Sequence, residues 1–341
     1  MSPAPVPART HGDLLLSVRD LHVTFPGHTR KATGTKAVVG VSFDVHAGEI
    51  LALVGESGCG KSATALAVMG LHGPDVKISG AVEFDGVPMV GRSERELSRV
   101  RGKQLSMIFQ DPLTALNPVI TVEKQLVEVL VRHEQLDRKE ARARSVDLLR
   151  QVGIPDPQKR VKDYPHQLSG GMRQRVMIAI AMACNPHLLI ADEPTTALDT
   201  TIQAEILDLI LELATERAMA LLLITHDLGV VAQTAHRVAV MYAGRIVEQA
   251  GRYEVFDQPR HRYTRGLLKS TPTLVGEARD RLDTIPGSAF DAEPWDQGCA
   301  FAPRCDFAVP ACQAPKLDLV PVGSGDEHLL RCVNPAGEEE S

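Results

Sequence analysis

An eight-residue run, Gly55-Glu-Ser-Gly-Cys-Gly-Lys61-Ser62, constrains this chain more than any other stretch. An apolar strand-like segment, Ile50-Leu-Ala-Leu-Val54, leads into it, and a helix-like run, Ala63-Thr-Ala-Leu-Ala-Val-Met69, follows. This is the G-x-x-x-x-G-K-[ST] phosphate loop in the strand–loop–helix setting it requires. Glycines let the backbone curl until its N–H groups converge, and the helix N-terminus adds partial positive charge there. Gly55, Glu56, Ser57, Gly58, Cys59 and Gly60 thus form a nucleotide cradle. Lys61 is placed to reach β- and γ-phosphates, and Ser62 to hold Mg²⁺. A chance glycine-rich turn is the competing reading, and the full match in its proper context argues against it.

At 341 residues the chain has room for two domains, or for one with a large extension. Hydrophobic residues make up 44%, enough for a sizeable core. A formal net charge of −6 gives no electrostatic footprint for nucleic acid. No apolar run approaches a bilayer span. Residues 1–13 read as a disordered leader, because Met1-Ser-Pro-Ala-Pro-Val-Pro7 lacks the basic and apolar regions of a secretory signal. Membrane attachment is therefore expected through a protein partner.

Leu14 to Phe25 reads as a strand with one buried face, ended by Pro26 and Gly27. Val38–Val45 and Gly80–Phe84 read as further strands, so antiparallel β-structure surrounds the nucleotide-binding βα unit. Phe25 can stack on a nucleotide base or serve as a strand core residue, and the residues alone leave both open. Residues 111–165 form a mostly helical insertion. Thr121 is a candidate cap for a helix carrying Val122, Leu126, Val129 and Leu130 on one face. A second helix spans Arg138 to Val152 and stops at Gly153.

The insertion ends in Leu168-Ser169-Gly170-Gly171-Met172, before a long apolar helix expected at Val176–Cys184. A serine and two glycines at a helix start make a second anion-binding N-terminus, or merely a capped, flexible entry. An apolar strand, Leu188-Leu-Ile-Ala, delivers Asp192 and Glu193 at its C-terminal end. The first carboxylate suits Mg²⁺ and the second an attacking water. Asp199 follows in a short loop, and Leu221-Leu-Leu-Ile-Thr leads to His226, placed for a γ-phosphate.

This ordered set, together with Gln110 at the end of Met107-Ile-Phe, resembles the ATP-binding cassette (ABC) ATPases over residues 14–255. The resemblance implies an α/β fold, with a RecA-like phosphate-loop ATPase core, an antiparallel β-subdomain and a helical subdomain. It implies that Gln110 senses Mg²⁺ and γ-phosphate, and that Glu193 is the catalytic glutamate. By the same resemblance His226 is the switch histidine, Asp199 the D-loop aspartate and Phe25 the adenine-stacking aromatic. Ser169, Gly170, Gly171 and Met172 look like the signature loop, which in this family contacts the partner's ATP in a head-to-tail dimer. A soluble cassette of translation or repair would usually carry two cassettes or a coiled-coil insertion. A kinase has no use for Ser169–Gly171, and a pure scaffold has no need of Lys61 and Glu193.

A narrower resemblance lies in Met107-Ile-Phe-Gln-Asp-Pro-Leu-Thr-Ala-Leu-Asn-Pro118, Gly171-Met-Arg-Gln-Arg-Val-Met-Ile-Ala-Ile-Ala181 and His261-Arg-Tyr-Thr-Arg-Gly-Leu-Leu268. These are similar to the dipeptide/oligopeptide importer ATPases, with nickel importers as close relations. The partners so implied are a second ATPase subunit, two membrane permeases and an extracytoplasmic substrate-binding protein. The implied location is peripheral, on the cytoplasmic face of the cell membrane. Arg262 departs from the family's usual proline, which puts the local turn in question.

Residues 256–341 read as a C-terminal extension rich in proline and glycine, closing in a solvated charge run, Glu338-Glu-Glu-Ser341. Cys299, Cys305, Cys312 and Cys332 are spaced C-x5-C-x6-C-x19-C, unlike a zinc finger or a ferredoxin. Disulfides do not suit a reducing compartment. A Cys₄ metal site suits a stretch with little core, and buried free thiols are the alternative. Arg304 and Arg331 are expected to stabilise thiolates. The resemblance implies a [4Fe–4S] cluster, carried by a subset of these ATPases, with Zn²⁺ as the other candidate. The extension is expected to be separable, so that losing Cys305 loosens it and leaves nucleotide binding intact.

Overall fold

The computed structural model describes residues 12–27, 34–196, 199–270, 284–288, 292, 294–314, 317–322 and 327–337. Most of the expected leader and the acidic tail lie outside the described residues.

The chain begins with strands β1 (Leu14–Phe25), β2 (Thr35–His46) and β3 (Ile50–Val54) and helix α1 (Lys61–Met69). Then come β4 (Lys77–Phe84), β5 (Val87–Pro88), α2 (Glu94–Val100) and β6 (Leu105–Ile108). Five helices follow: α3 (Pro112–Ala115), α4 (Val122–Glu134), α5 (Arg138–Gln151), α6 (Pro157–Arg160) and α7 (Gly170–Ala181). Next are β7 (Leu188–Asp192), α8 (Thr200–Glu216), β8 (Ala220–Ile224), α9 (Leu228–Thr234), β9 (Arg237–Tyr242) and β10 (Arg245–Gly251). The last elements are α10 (Arg252–Asp257), α11 (Arg262–Lys269), β11 (Val320–Pro321) and β12 (Leu329–Leu330).

Two compact units result. The first holds the described residues up to Ser17, Asp44–Glu49 and Glu83–Leu223; the second holds those within Val18–Phe43, Ile50–Val82 and from Ile224 onward. Strands β1, β2 and β4 give residues to both, and with β5 they form a sheet in the order β2-β1-β4-β5.

In the first unit β8, β7 and β6 are neighbours in that order. Strands β6 and β7 run parallel, Leu105 opposite Leu188 and Ile108 opposite Ala191. Strand β7 is buried at every residue, as a parallel strand covered on both faces must be. The helical insertion has the expected local logic. The Thr121 hydroxyl accepts from the Lys124 N–H at 3.4 Å, and α4 buries Val122, Leu126 and Leu130. Asp137 and Glu140 close a capping box on α5, and Gly153 ends it at φ 71°. The helix expected at Val176–Cys184 instead starts at Gly170 and ends at Ala181. Its cap is Ser169, so the two glycines form its first turn.

In the second unit the strand order is β11-β12-β10-β9-β3. Strands β3 and β9 are parallel, with Leu51 opposite Arg237 and Val54 opposite Val240. The hairpin from β9 to β10 turns on Ala243 and Gly244, both at positive φ (45° and 82°). Strand β12 returns antiparallel to β10, with Leu330 opposite Glu248. One hydrophobic cluster therefore holds Ala52 and Val54 together with Tyr242, Tyr263, Trp295, Phe301 and Leu317. Among the described residues no helix is long and apolar enough to cross a membrane.

Candidate functional site: the phosphate loop, the β7 carboxylates and the cysteine segment

The second unit carries the phosphate loop. Gly60 caps α1 at φ 107°, and a Cβ there would stand 2.3 Å from the Ala37 carbonyl oxygen. A Cβ on Gly55 would stand 2.2 Å from the Met241 carbonyl oxygen, so the close turn admits only glycine at both places. Lys61 is buried, and its Nζ donates to the carbonyls of Gly55 at 2.9 Å and Glu56 at 3.1 Å. The ammonium thus already occupies the loop. Cys59 is a packed thiol: burial pushes its pKa up despite Lys61 nearby, which makes it a poor nucleophile.

Phe25 ends β1, half-buried, with its ring edge-on to His72 at 5.5 Å between centroids. His226 is exposed just past β8. Beside it Asp227 caps α9, accepting from the N–H groups of Gly229 (2.9 Å) and Val230 (3.2 Å).

The first unit carries the carboxylates. Asp192 closes β7 and is buried. Glu193 has φ 44°, a left-handed backbone that costs a non-glycine residue about 1–2 kcal/mol. Its Oε2 accepts from Gln110 Nε2 at 3.1 Å and from Thr196 Oγ1 at 3.0 Å. Gln110 and Glu193 are thus brought together. Ser169 caps α7, its Oγ accepting from the Met172 N–H at 3.3 Å, with Ser169 and Gly170 exposed. Buried Gln174 on the same helix donates through Nε2 to the Pro194 carbonyl at 2.5 Å. Asp199 is exposed at the start of α8, with no side-chain capping bond.

Motif reading does not find the support behind these residues. Tyr263 Oη accepts from the Glu56 N–H at 2.9 Å, and the Arg304 guanidinium grips the Glu56 carboxylate at 2.7 and 3.0 Å. Glu56 in turn raises the Arg304 pKa well above its ordinary value. The His-x-Tyr-Thr run was the one available signal for Tyr263, and nothing in the sequence marks Arg304 as its companion. Arg262, in place of the proline, starts α11 without disturbing it, because His261 caps the helix by accepting from the Tyr263 N–H at 3.1 Å. Its guanidinium lies 3.8 Å from the centre of the Phe307 ring and donates to the carbonyls of Asn334 (3.3 Å) and Pro335 (3.1 Å).

Cys299, Cys305, Cys312 and Cys332 all lie in the second unit. Cys299 and Cys312 are buried, and Cys305 and Cys332 are half-buried. Each of Cys299, Cys305 and Cys332 interacts electrostatically with others of the set. The amides of Phe301, Phe307 and Asn334 donate to the sulfurs of Cys299, Cys305 and Cys332, and the Val309 N–H lies 3.5 Å from Cys312 Sγ. Burial pushes up the thiol pKa values of Cys299, Cys305 and Cys332, that of Cys299 to about 11. The expectation for Arg304 and Arg331 needs correcting. Arg304 turns to Glu56, and Arg331 donates to the carbonyls of Ile246 and Leu317. The cation that opposes this rise at Cys305 and Cys332, by a small amount, is Arg262. Among the described residues no group of three or more His, Cys, Asp or Glu side chains is drawn together closely enough to hold a metal ion.

A lysine-bearing phosphate loop leads into α1 in one unit, and a Ser-Gly-Gly start opens α7 in the other. Residues 38–196 match the ABC transporter family, and residues 247–312 match the oligopeptide/dipeptide transporter C-terminal region. Among solved structures, the dimeric post-hydrolysis state of the cassette MJ0796 bound to ADP and Pi is similar at a TM-score of 0.61 and 26% identity, covering 70% of this chain and 98% of that one. The dipeptide transport ATP-binding protein DppD of Bacillus subtilis is 49% identical, over 93% of this chain and 94% of its own length. The oligopeptide transport ATP-binding protein OppD of Escherichia coli is 47% identical over 98% of each chain. A probable peptide ABC transporter ATP-binding protein of Sinorhizobium fredii is 50% identical, over 88% and 90%. The chain belongs to the family of ATP-binding subunits of dipeptide and oligopeptide ABC transporters.

Proposed function

We propose that this chain hydrolyses ATP at the cytoplasmic face of the cell membrane to drive uptake of di- and oligopeptides. Its near-full-length similarity to dipeptide and oligopeptide transport ATP-binding proteins, C-terminal region included, carries this reading. Its partners are two permeases, a second ATPase subunit and an extracytoplasmic substrate-binding protein reached through the permeases. Residues 14–255 bind nucleotide, with 111–165 as the helical subdomain, and 256–341 form the extension. Deleting the gene should abolish growth of an amino-acid auxotroph on the corresponding dipeptide. Unimpaired peptide uptake with lost nickel uptake would replace peptide by metal as the cargo.

The roles follow from chemistry. Phe25 stacks on adenine, the Gly55–Gly60 backbone cradles the phosphates, and Lys61 neutralises their β–γ bridge. Ser62, Gln110 and Asp192 would hold Mg²⁺, which when bound would supply charge neutralisation at the phosphates. Glu193 orients and deprotonates the attacking water, and His226 hydrogen-bonds the γ-phosphate. Ser169–Met172 and Asp199 serve the partner's nucleotide, so ATP closes the dimer through contacts that exist only when closed.

Cys299, Cys305, Cys312 and Cys332 hold a [4Fe–4S] cluster in this reading, with Zn²⁺ as the alternative. Four soft thiols with N–H donors on their sulfurs suit it. Anaerobically purified protein should be brown with about four irons and four sulfides per chain. A colourless protein with one zinc would rule the cluster out.

A further inference from the structure

Glu56, the second residue of the phosphate loop, has all three of its polar handles engaged. Its N–H donates to Tyr263 Oη at 2.9 Å. Its carboxylate takes both arms of Arg304, Nη1 to Oε2 at 2.7 Å and Nη2 to Oε1 at 3.0 Å. Its carbonyl accepts from Lys61 Nζ at 3.1 Å. The N–H and the carboxylate are therefore held by residues far along the chain, and the carbonyl by the loop itself, where the Cys59 N–H also donates to it at 3.3 Å.

Arg304 is itself held. Its side chain is 3% exposed, its Nε donates to the Pro286 carbonyl at 2.7 Å, and its Nη1 reaches Tyr242 Oη at 3.4 Å. The guanidinium lies against the rings of Tyr242 and Phe301. It sits on a single 3₁₀ turn tied at both ends to cysteines: the Ala302 N–H donates to the Cys299 carbonyl (2.9 Å), and the Cys305 N–H to that of Ala302 (3.2 Å). Tyr263 packs in the same aromatic cluster, 5.4 Å from Phe301 and 4.7 Å from Tyr242 between centroids.

We propose that Arg304 and Tyr263 are positioning residues for the phosphate loop, through which the cysteine-bearing segment sets the affinity for the triphosphate of ATP. Two physical effects combine. A bidentate guanidinium fixes a carboxylate in plane as well as in place, which fixes the Glu56 peptide on which Lys61 is lodged. The same guanidinium neutralises a carboxylate that would otherwise stand in a loop built to receive a polyanion. The cysteine segment is then coupled to nucleotide binding, and the separability expected from the sequence gives way to this link. The inference rests on ATP binding at the phosphate loop.

The test measures the Kd of a fluorescent ATP analogue, kcat, KM and the melting temperature on the full chain. Lys61→Ala is the control for the underlying reading: a native Kd in that variant would overturn ATP binding at this loop. Arg304→Lys keeps the charge and loses the fork, and should raise Kd about tenfold. Tyr263→Phe removes one hydroxyl from an intact ring, and should raise it about fivefold. Both should raise KM with kcat unchanged. Arg304→Met should bind more weakly still, and adding Glu56→Gln should restore much of the loss, a rescue that mere loosening of the fold would not give. Cys305→Ser should raise Kd in the same direction. Native Kd values in Arg304→Lys and Tyr263→Phe, with Lys61→Ala defective, would overturn the positioning roles. A native Kd in Cys305→Ser would overturn the coupling.

Discussion

Glu193→Gln separates chemistry from binding. The carboxylate Oε2 accepts two hydrogen bonds, from Gln110 at 3.1 Å and Thr196 at 3.0 Å. A glutamine of the same shape keeps both by presenting its amide oxygen to them. What it loses is the basic oxygen. A lost general base slows turnover by about 10²–10⁴-fold, or roughly 2.7–5.5 kcal/mol in the barrier. Affinity for ATP should stay within about twofold, because the variant leaves every phosphate-loop contact in place. The assay is phosphate release from the assembled transporter, with nucleotide titration of the purified chain beside it. An ATP-dependent rise in dimer on size exclusion should accompany the loss, since a site that cannot hydrolyse cannot reopen. Turnover within threefold of native would refute the assignment of Glu193 as the base.

Gly60→Ala would place a methyl 2.3 Å from the Ala37 carbonyl at φ 107°, and should cost about 2 kcal/mol or more of stability together with nucleotide binding; a native melting temperature would contradict this. Ser169→Arg should disable hydrolysis at the partner's loop while leaving ATP affinity of the separated chain unchanged; equal loss in the separated chain would count against a head-to-tail pair. Burial pushes the His261 pKa down to about 4, against the opposing pull of the Glu248 carboxylate and with repulsion from Arg331. The folded state thus keeps His261 neutral, so its share of stability is full above about pH 6.5 and falls, by roughly 3 kcal/mol, as pH drops to 4. Trp295, the only tryptophan and part of the same apolar cluster, should report the loosening by fluorescence, and His261→Asn should flatten the pH response; a profile unchanged by that variant would refute it.

Local signals made much of the fold legible. Thr121 announces the start of α4 through a side-chain cap, and Gly153 the end of α5 through a left-handed glycine, signals that need no tertiary context. Strands β3 and β7 are short apolar runs that lead straight into chemical residues. The hairpin of β9 and β10 gave no comparable signal, because its turn uses Ala243 at φ 45° where the usual cue is Asn or Gly. The start of α7 was hidden for a similar reason: glycines suggest an entry loop, yet Ser169 makes them the first turn. The phosphate loop is a contiguous motif and was readable as such. Its grip by Arg304 spans 248 residues of sequence, and no periodicity or spacing encodes a pairing that distant.

Gln174 has a consequence for how two nucleotides are counted. It lies on the helix whose first turn is the signature loop, and its amide is bonded to the carbonyl of Pro194, the residue after Glu193. In the proposed head-to-tail pair, that helix answers to one ATP and Glu193 to the other. Any shift of α7 on closing over the first would therefore pull on the Pro194 carbonyl beside Glu193. Each subunit of such a pair would then act as a two-input gate, with the state of one nucleotide written into the readiness of the other, and the two hydrolysis events of a cycle would cease to be independent.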